Sequence, residues 1–339
     1  MIKAIRAKTE ALPAFARWDA ASLGVEIAES DIVRSLREFF LQSAGSIFKN
    51  FYFLHLTDVS HAPRHTDTMQ PMNFSLNAAD ILRHSQASSL GLEIDVVQST
   101  GSTNADLRAN LAQLTAPRLL VAENQTAGRG RAGRTWQAES GSSLCFSLAW
   151  QFQGALSSLT GLSLAVGVSV AQTLIQQGYP VQLKWPNDLL KDGFKLGGVL
   201  IESVPVRSQQ NAVWAIIGIG LNTQLSENLS ASVGHEIAAL SMQPSAQPLD
   251  RNRLCAQLGD GLIQALQEFQ QHGLKNFIAP WQQYHAYANQ VVSITEQGRL
   301  LHEGIASGID ADGRLLLQSL TTPTQFTAIA VGDVSLRLA

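Results

Sequence analysis

Hydrophobic and polar positions become regular along the chain only from about residue 77 onward. From there, apolar residues recur every three to four positions, as on one face of a helix, or in short runs and alternations typical of strands. The predicted helices cover 77–83, 102–114, 159–177 and 249–271, and the predicted strands cover 92–97, 118–123, 144–150, 181–184, 196–204 and 212–221. This mixture predicts an α+β fold in which helices are layered on a sheet.

Residues at the ends of these segments add detail to the predicted sheet. Ser102 stands where a helix N-cap is expected, and Gly178 follows the third helix as glycine commonly does. The segment 144–150 alternates between apolar and polar residues and is therefore expected to be half buried. The strands at 196–204 and 212–221 are expected to form a hairpin.

The last fifty or so residues contain only short predicted strands separated by turns. The strands cover 291–294, 300–307, 314–317, 325–331 and 334–338. Regularly spaced short strands of this kind indicate a small β-barrel as a separate module. The predicted division is therefore a domain at 76–286 and a barrel at 287–339.

Residues 1–75 form an N-terminal extension whose structure the pattern does not predict, apart from helical spacing at 31–41. Residues 1–68 carry 8 basic and 8 acidic side chains, so they lack the basic excess of a DNA-binding segment. No wing-like glycine-tyrosine motif is found there, and we expect no DNA binding. A divergent helix-turn-helix at 32–56 and translation from Met69 or Met72 are the alternatives.

The composition is that of a globular protein of about two domains. Of the 339 residues 45% are hydrophobic and 15% charged, and the formal net charge is −3, which argues against disorder and against an overall basic nucleic-acid binder. Two cysteines, Cys145 and Cys255, lack the spacing of a metal site and are expected to be core residues. No apolar run of membrane-spanning length and no signal peptide are recognised, so a cytoplasmic protein is predicted.

Residues 128–134 (GRGRAGR) combine three glycines with three arginines. Glycine allows close backbone approach to a ligand, and arginine is suited to phosphate or carboxylate. A solvated basic loop is the alternative interpretation. The stretch also fits G-x-G-x-x-G, but no helix and no acidic residue follow at the required spacing, so a dinucleotide fold is rejected.

Two further stretches place polar residues at strand ends, where binding sites are commonly built. Residues 184–188 (KWPND) are followed by 195–198 (KLGG), in which a lysine precedes a glycine pair. Residues 218–222 (GIGLN) end a predicted strand on an asparagine. A lysine near a phosphate would neutralise charge during phosphoryl or adenylyl transfer. An Asx turn and a surface lysine are the competing structural interpretations.

In this order, the stretches resemble the biotin protein ligase (biotin–acetyl-CoA-carboxylase ligase) family. The resemblance rests on 102–104 (STN), 123–136 (ENQTAGRGRAGRTW), 184–188, 195–202 (KLGGVLIE) and 218–222. It extends over about 77–339 and includes the C-terminal stretch 332–337 (GDVSLR). It implies a class II aminoacyl-tRNA-synthetase-like (biotin/lipoate ligase) mixed sheet with helices, followed by a small C-terminal SH3-like β-barrel.

The resemblance also implies a role for each matching residue. The implied catalytic residues are Lys195, Arg129 and Asp188. The implied biotin-binding residues are Ser102, Thr103, Asn104, Gln125, Arg129, Gly130, Arg131, Lys195 and Gly198. The implied nucleotide-binding residues are Arg131, Trp136, Asn187, Asn222 and Arg337. Asn187 and Asp188 would organise either a metal ion or the substrate lysine, and no metal-ligating residue is predicted.

The implied activity is the ATP-dependent conversion of biotin to biotinyl-5′-AMP, followed by transfer to a lysine of the biotin carboxyl carrier domain of acetyl-CoA carboxylase. ATP, biotin and Mg²⁺ would take part, with Mg²⁺ arriving alongside ATP. No nucleic acid or membrane partner is expected, and a homodimer stays open. The alternatives are a lipoate ligase, a bifunctional ligase and biotin-operon repressor, and a non-catalytic biotin-binding scaffold, which would not need Lys195 and the arginines.

Overall fold

The computed structural model of the protein describes residues 75–86, 91–206, 209, 211–226, 237–241, 249–332 and 334–339. The N-terminal extension up to residue 74, with its predicted helix at 31–41, its alternative helix-turn-helix at 32–56 and its alternative start methionines, lies outside the described residues. Helices and strands are numbered within the described part of the chain.

The order of elements mixes helices and strands, as the pattern predicts. The helices are α1 (Ala78–His84), α2 (Thr103–Asn110), α3 (Leu162–Gln176), α4 (Arg251–His272) and α5 (Ile278–Tyr284). The first strands are β1 (Glu93–Val97), β2 (Arg118–Ala122), β3 (Ser143–Gln153), β4 (Gln182–Lys184), β5 (Asp188–Lys191), β6 (Phe194–Pro205) and β7 (Ala212–Asn222). The last strands are β8 (Val291–Glu296), β9 (Arg299–Ile309), β10 (Leu315–Gln318), β11 (Phe326–Ile329) and β12 (Val334–Leu338).

The first seven strands form one mixed sheet in the order β1-β2-β3-β7-β6-β5-β4. Strands β1 and β2 pair in parallel, and the other neighbours pair antiparallel. The predicted hairpin of β6 and β7 is confirmed, with Gly198 opposite Gly220. The longest pairing in the sheet joins β3 to β7 and sets Ser143 opposite Asn222, so these two strands form the centre of the sheet.

Helices cover both faces of this sheet. The larger apolar core lies on the face covered by α3 and α4, whereas a smaller cluster around Leu107 and Trp214 packs under α2. This arrangement corrects the expectation for the segment 144–150. Strand β3 is buried on both faces from Ser143 to Ala149, because each face carries helices and the strand lies between β2 and β7.

Three local features differ from the sequence prediction. Ser102 occupies the N-cap position of α2, but its side chain makes no capping hydrogen bond. Helix α2 also ends at Asn110 and continues only as a short 3₁₀ turn, Leu111–Gln113. The pattern missed β5 and α5, both of them short: β5 has four residues and α5 has seven.

The last five strands form a separate antiparallel sheet in the order β11-β10-β9-β8-β12. All five predicted strands are present, within a few residues of their predicted ends. This sheet packs on the part of the chain that forms the seven-stranded sheet, and Trp185 donates its indole N–H to the carbonyl of Gly313 at 3.1 Å. The described parts of residues 70–339 belong to one compact unit, so the boundary between 286 and 287 stays a prediction.

One described stretch, Leu156–Gln176, is long and apolar enough to cross a membrane by length and composition. This corrects the expectation that no apolar run reaches that length. Most of its apolar window is buried inside the fold, and helix α3 forms part of the larger core. Such burial is what the core helix of a globular protein shows.

Candidate active site

A single cleft collects the residues that the motifs pointed to. It has a volume of about 780 Å³ and lies over strands β3, β6 and β7, bordered by the loop 125–137, by Gly332 and by residues 334–337 of the C-terminal sheet. All fourteen predicted site residues line it: Ser102, Thr103, Asn104, Gln125, Arg129, Gly130, Arg131, Trp136, Asn187, Asp188, Lys195, Gly198, Asn222 and Arg337. Residues spread over more than 230 positions of the chain therefore meet at one site.

One end of the cleft is built on a buried chain of hydrogen bonds. Asn104, 3% exposed, accepts a hydrogen bond from the Ser147 hydroxyl at 2.6 Å. The Ser147 and Thr103 hydroxyl oxygens also lie 2.6 Å apart. The backbone N–H of Thr103 donates to Gln125 Oε1 at 2.8 Å. The Thr103 hydroxyl lies 3.1 Å from the same oxygen, so the Gln125 amide turns its N–H₂ group away from Thr103.

Two glycines on β7 make room for side chains of this site. A Cβ at Gly218 would lie 2.3 Å from Asn104 Oδ1, and a Cβ at Gly220 would lie 2.4 Å from the indole ring of Trp136. Neither position has space for a side chain. The glycines of the GIGLN stretch are therefore required by close packing, and Trp136 lies directly on the strand.

The arginine loop crosses the cleft as a compact turn. The Gly130 N–H donates to the Arg134 carbonyl at 2.7 Å, and Ala132 and Gly133 have φ angles of 53° and 70°. The left-handed conformation at Gly133 suits glycine, which carries no Cβ. This turn places the side chains of Arg129, Arg131 and Arg134 in three different directions.

Each of these arginines has a partner elsewhere in the fold. Arg129 donates to Glu202 at 2.8 Å, and Arg134 donates to the Ser335 hydroxyl at 2.9 Å. Arg131 donates to Asn187 Oδ1 at 3.2 Å and to the Gly332 carbonyl. The loop is thus held to strand β6, to the KWPND turn and to the C-terminal sheet.

The opposite end of the cleft is cationic. Lys195 pairs with Asp188 at 2.6 Å, in a partly buried position. The ammonium of Lys184 lies 5.8 Å from the centre of the Tyr287 ring. Burial lowers the pKa of Lys184, and nearby Lys195 and the arginines at 337 and 134 lower it further, while Asp188 opposes them. Burial and the charge of Asp188 raise the pKa of Tyr287. Such a cluster favours an anionic ligand.

The remaining predicted residues lie at the rim and floor. Asn187 donates to the Val199 carbonyl at 2.8 Å, which fixes its amide oxygen towards Arg131. Asn222, 3% exposed, uses its amide N–H₂ to hold the Ala238 carbonyl at 3.0 Å. Arg337 reaches the cleft from strand β12.

Sequence reasoning missed three residues of this site. Ser147 and Glu202 complete the network around Asn104, and Lys184 adds a second lysine to the cationic end. Lys184 and Glu202 stand inside the quoted motifs, so a signal was present without a role attached. Ser147 had no such signal, because only the pairing of strands brings it to Asn104.

Among the described residues, no group of three or more His, Cys, Asp or Glu side chains could hold a metal ion. Asp188 is the only carboxylate among the cleft-lining side chains described, and it is already paired with Lys195. These residues do not form a metal site of the protein's own. Cys145 and Cys255 are free and buried, as predicted, and burial raises their pKa values to about 11 and about 12.

Fold and cleft together define a small-molecule-binding α+β domain with a polar end and a cationic end, followed by an antiparallel β-sheet module. The sequence profile described as the Biotin/lipoate A/B protein ligase family matches residues 94–222. Two curated relatives are similar over most of the chain. The bifunctional ligase/repressor BirA of Escherichia coli is 33% identical over 244 residues, covering 72% of this chain and 73% of that protein. The biotin–[acetyl-CoA-carboxylase] ligase of Mycobacterium tuberculosis is 33% identical over 250 residues, covering 71% of this chain and 88% of that protein.

Among solved structures, the biotin protein ligase from Aquifex aeolicus in complex with biotin and ATP has a similar fold. It superposes with a TM-score of 0.57 at 24% identity, covering 73% of this chain and 99% of that one. The chain belongs to the biotin protein ligase family. The family resemblance drawn from the motifs is thereby confirmed, as is the predicted fold class.

Proposed function

We propose that this protein activates biotin with ATP and transfers it to a lysine of a biotin carboxyl carrier domain, that of acetyl-CoA carboxylase. The observation that carries the proposal is the continuity of the cleft, which joins a buried, directional polar end to a cationic end. Biotin has a neutral ureido ring at one end and a carboxylate at the other. One biotin molecule could therefore place its ring at the polar end of the cleft and its carboxylate at the cationic end. The relatives' names support the same reaction.

In the first step, a biotin carboxylate oxygen would attack the α-phosphorus of ATP, forming biotinyl-5′-AMP as the bond to the β-phosphate breaks and pyrophosphate leaves. Negative charge increases at the phosphoryl oxygens in the transition state. Lys195 and Arg131 would stabilise that charge from the cationic end, and Lys184 would add to it. The proposed biotin residues Ser102, Thr103, Asn104 and Gln125, with Gly130 and Gly198 at the rim, would hold the ring.

In the second step, the neutral ε-amine of the carrier lysine would attack the acyl carbon. The new amide bond forms as the carbon–oxygen bond to AMP breaks, and the proton that the amine loses passes to solvent. Trp136, Asn222 and Arg337 would hold the adenylate, and Asn187 with Asp188 would organise the incoming amine. Mg²⁺ would enter bound to the ATP phosphates, because the described cleft lining contains one carboxylate, Asp188, which is paired with Lys195.

We further infer a ligase without a repressor role. The equal numbers of basic and acidic residues over 1–68 support this inference, although curated relatives include bifunctional ligase/repressors. A gel-shift titration of the full chain against biotin-operon DNA with biotin and ATP tests it, and specific binding would refute it.

Two buried cysteines support a reducing, cytoplasmic location. A homodimer is also proposed, and measuring the molecular mass in solution with and without biotin and ATP tests it.

The decisive experiment is biotinylation of a carrier domain by the pure protein with ATP and Mg²⁺. Mass spectrometry should show one added biotin on one lysine, and pyrophosphate should appear without the carrier. Lys195→Ala should lower the rate of pyrophosphate release by about 100-fold or more, because a charge-stabilising donor is lost. Lys275→Ala is the matched control, since Lys275 is an exposed lysine outside the cleft, and it should be unaffected. Activity with lipoate instead of biotin would favour a lipoate ligase, and binding without pyrophosphate release would favour the scaffold.

A further inference from the structure

Glu202 lies at the junction of three parts of the site but does not line the cleft. Its Oε2 accepts hydrogen bonds from Asn104 Nδ2 at 2.9 Å and from Arg129 at 2.8 Å, while its Oε1 lies 3.3 Å from Arg108. The Glu202 side chain is 16% exposed, and the Arg129 side chain is 42% exposed. One carboxylate therefore joins strand β6 to helix α2 and to the arginine loop.

A carboxylate can only accept hydrogen bonds, and this fixes the direction of the buried chain. Because Glu202 accepts, Asn104 must turn its N–H₂ group towards it and its Oδ1 towards Ser147. The Ser147 hydroxyl then donates to Asn104, so its oxygen is left to accept from the Thr103 hydroxyl, which lies 2.6 Å from it and 3.1 Å from Gln125 Oε1. The polarity of the polar end of the cleft is thus set by a residue outside it.

The same carboxylate holds the loop that covers the cleft. Arg129 is bound to Glu202 while its neighbours in the loop contact the KWPND turn and the C-terminal sheet. Arg108 provides Glu202 with a second cation, so the carboxylate would stay neutralised if Arg129 moved towards an anionic ligand. The hydrogen-bonded chain at Asn104 and the arginine loop at Arg129 are therefore both held by the Glu202 side chain.

We propose that Glu202 is a positioning residue for the biotin site: it sets the donor and acceptor pattern of Asn104, Ser147 and Thr103 and holds Arg129 over the cleft. The proposal rests on the proposed function, since it names biotin as the ligand whose polar edge this pattern meets. Glu202 would contact neither substrate and would act through its partners alone.

The first test is Glu202→Gln, in which an amide can donate as well as accept and the direction of the chain is no longer fixed. The dissociation constant for biotin, measured by calorimetry without ATP, and the KM for biotin should both rise about tenfold, the size expected for losing a hydrogen bond to a charged group. The kcat at saturating biotin should stay within about threefold, because no group touching the reacting atoms is lost. Glu202→Asp keeps the acceptor and should recover part of the loss.

Glu93→Gln is the matched control. Glu93 is also a strand glutamate bound to an arginine, Arg118 at 2.9 Å, but it lies on edge strand β1 outside the cleft. Its substitution should leave both biotin constants unchanged. If Glu202→Gln leaves them unchanged as well, or lowers kcat alone, the proposal is overturned while the proposed function stands. A wild-type protein that does not bind biotin would overturn both.

Exchanging the Asn104 amide and the Glu202 carboxylate gives a second test, which stays valid if Glu202→Gln alone fails to fold. Asn104→Asp places two carboxylates against each other and should abolish biotin binding. The double variant Asn104→Asp/Glu202→Gln restores one amide facing one carboxylate, and Ser147 can still donate to position 104, as it can in Asn104→Asp. The double variant should therefore bind biotin more tightly than Asn104→Asp alone. A double variant that binds no better than Asn104→Asp would overturn the proposal.

Discussion

Acid should destabilise the fold through His285, which follows helix α5 and lies before the C-terminal sheet. The side chain is 4% exposed, and neither ring nitrogen has a hydrogen-bond partner. Its ring lies 4.5 Å from that of Trp281 at an angle of 33°. Burial lowers the pKa of His285 from 6.5 to about 4, because a charged imidazolium there would lose its hydration without gaining a partner.

The sign and size of the effect follow from the two pKa values. Above pH 6.5 the ring is neutral in both the folded and the unfolded chain, and the free energy of unfolding does not depend on it. As the pH falls below 6.5, the unfolded chain binds a proton that the folded chain does not, so stability is lost until about pH 4. The loss amounts to about 2 kcal/mol between pH 7 and pH 5 and about 3 kcal/mol below pH 4, at 1.36 kcal/mol per pKa unit.

The measurement is urea unfolding at pH 7, 6 and 5 for the wild-type protein and for His285→Phe, which keeps an aromatic ring against Trp281. The variant should lose about 2 kcal/mol less between pH 7 and pH 5 than the wild type, since all other titrating groups are shared. His302→Gln, a change at an exposed histidine, is the control and should keep the wild-type dependence. If His285→Phe and the wild type lose equal stability over this range, the reasoning about His285 is refuted.

Three further substitutions test packing and pairing. Gly220→Ala should raise the KM for ATP, because the added Cβ would lie 2.4 Å from the Trp136 ring and displace it; ATP titration of pyrophosphate release measures this, and an unchanged KM would contradict it. Arg251→Met should lower the free energy of unfolding by about 3–5 kcal/mol in urea, since it leaves Glu123 buried without its cation. That pair has an N–O distance of 2.7 Å and side-chain exposures of 7% and 11%, and a loss near zero would argue against it. Asn77→Ala should cost about 1 kcal/mol in the same assay, because two N–H groups of the first turn of α1 lose their acceptor, and an unchanged stability would exclude that capping role.

Most elements could be predicted because their ends are marked by local chemistry. Asn77 caps α1, Asp250 caps α4 through the N–H of Arg253, and Gly178 follows α3 with a φ of 86°. Those signals depend on a few neighbouring residues and can be found without the fold. Strand β5 could not be found in this way, because its four residues follow a turn and obtain their strand geometry from β4 and β6.

The candidate site shows the same division between local and long-range information. The motifs contained all the cleft-lining residues that were predicted, but not the links between them. Ser147 was missed because it lies in the segment 144–150, which was expected to be half buried and to which no role was attached. Helix α2 covers one side of this segment, and its Asn104 and Thr103 contact the Ser147 hydroxyl across 43 and 44 positions of the chain. Contacts over such a separation have no signature in a single sequence.

Strand β7 contains the GIGLN motif, and its two faces have different packing roles. Residues two apart in a strand share a face, so Gly218, Gly220 and Asn222 lie on the side facing the cleft, while Ile217, Ile219 and Leu221 face the larger core. On the cleft side the two glycines admit Asn104 and Trp136 to the backbone. The GIGLN stretch is therefore a strand that stabilises the fold through one face. Through its other face, which carries the two glycines, the strand determines how closely the Asn104 amide and the Trp136 indole ring approach the backbone. The positions of these two side chains determine the shape of the cleft available to a ligand.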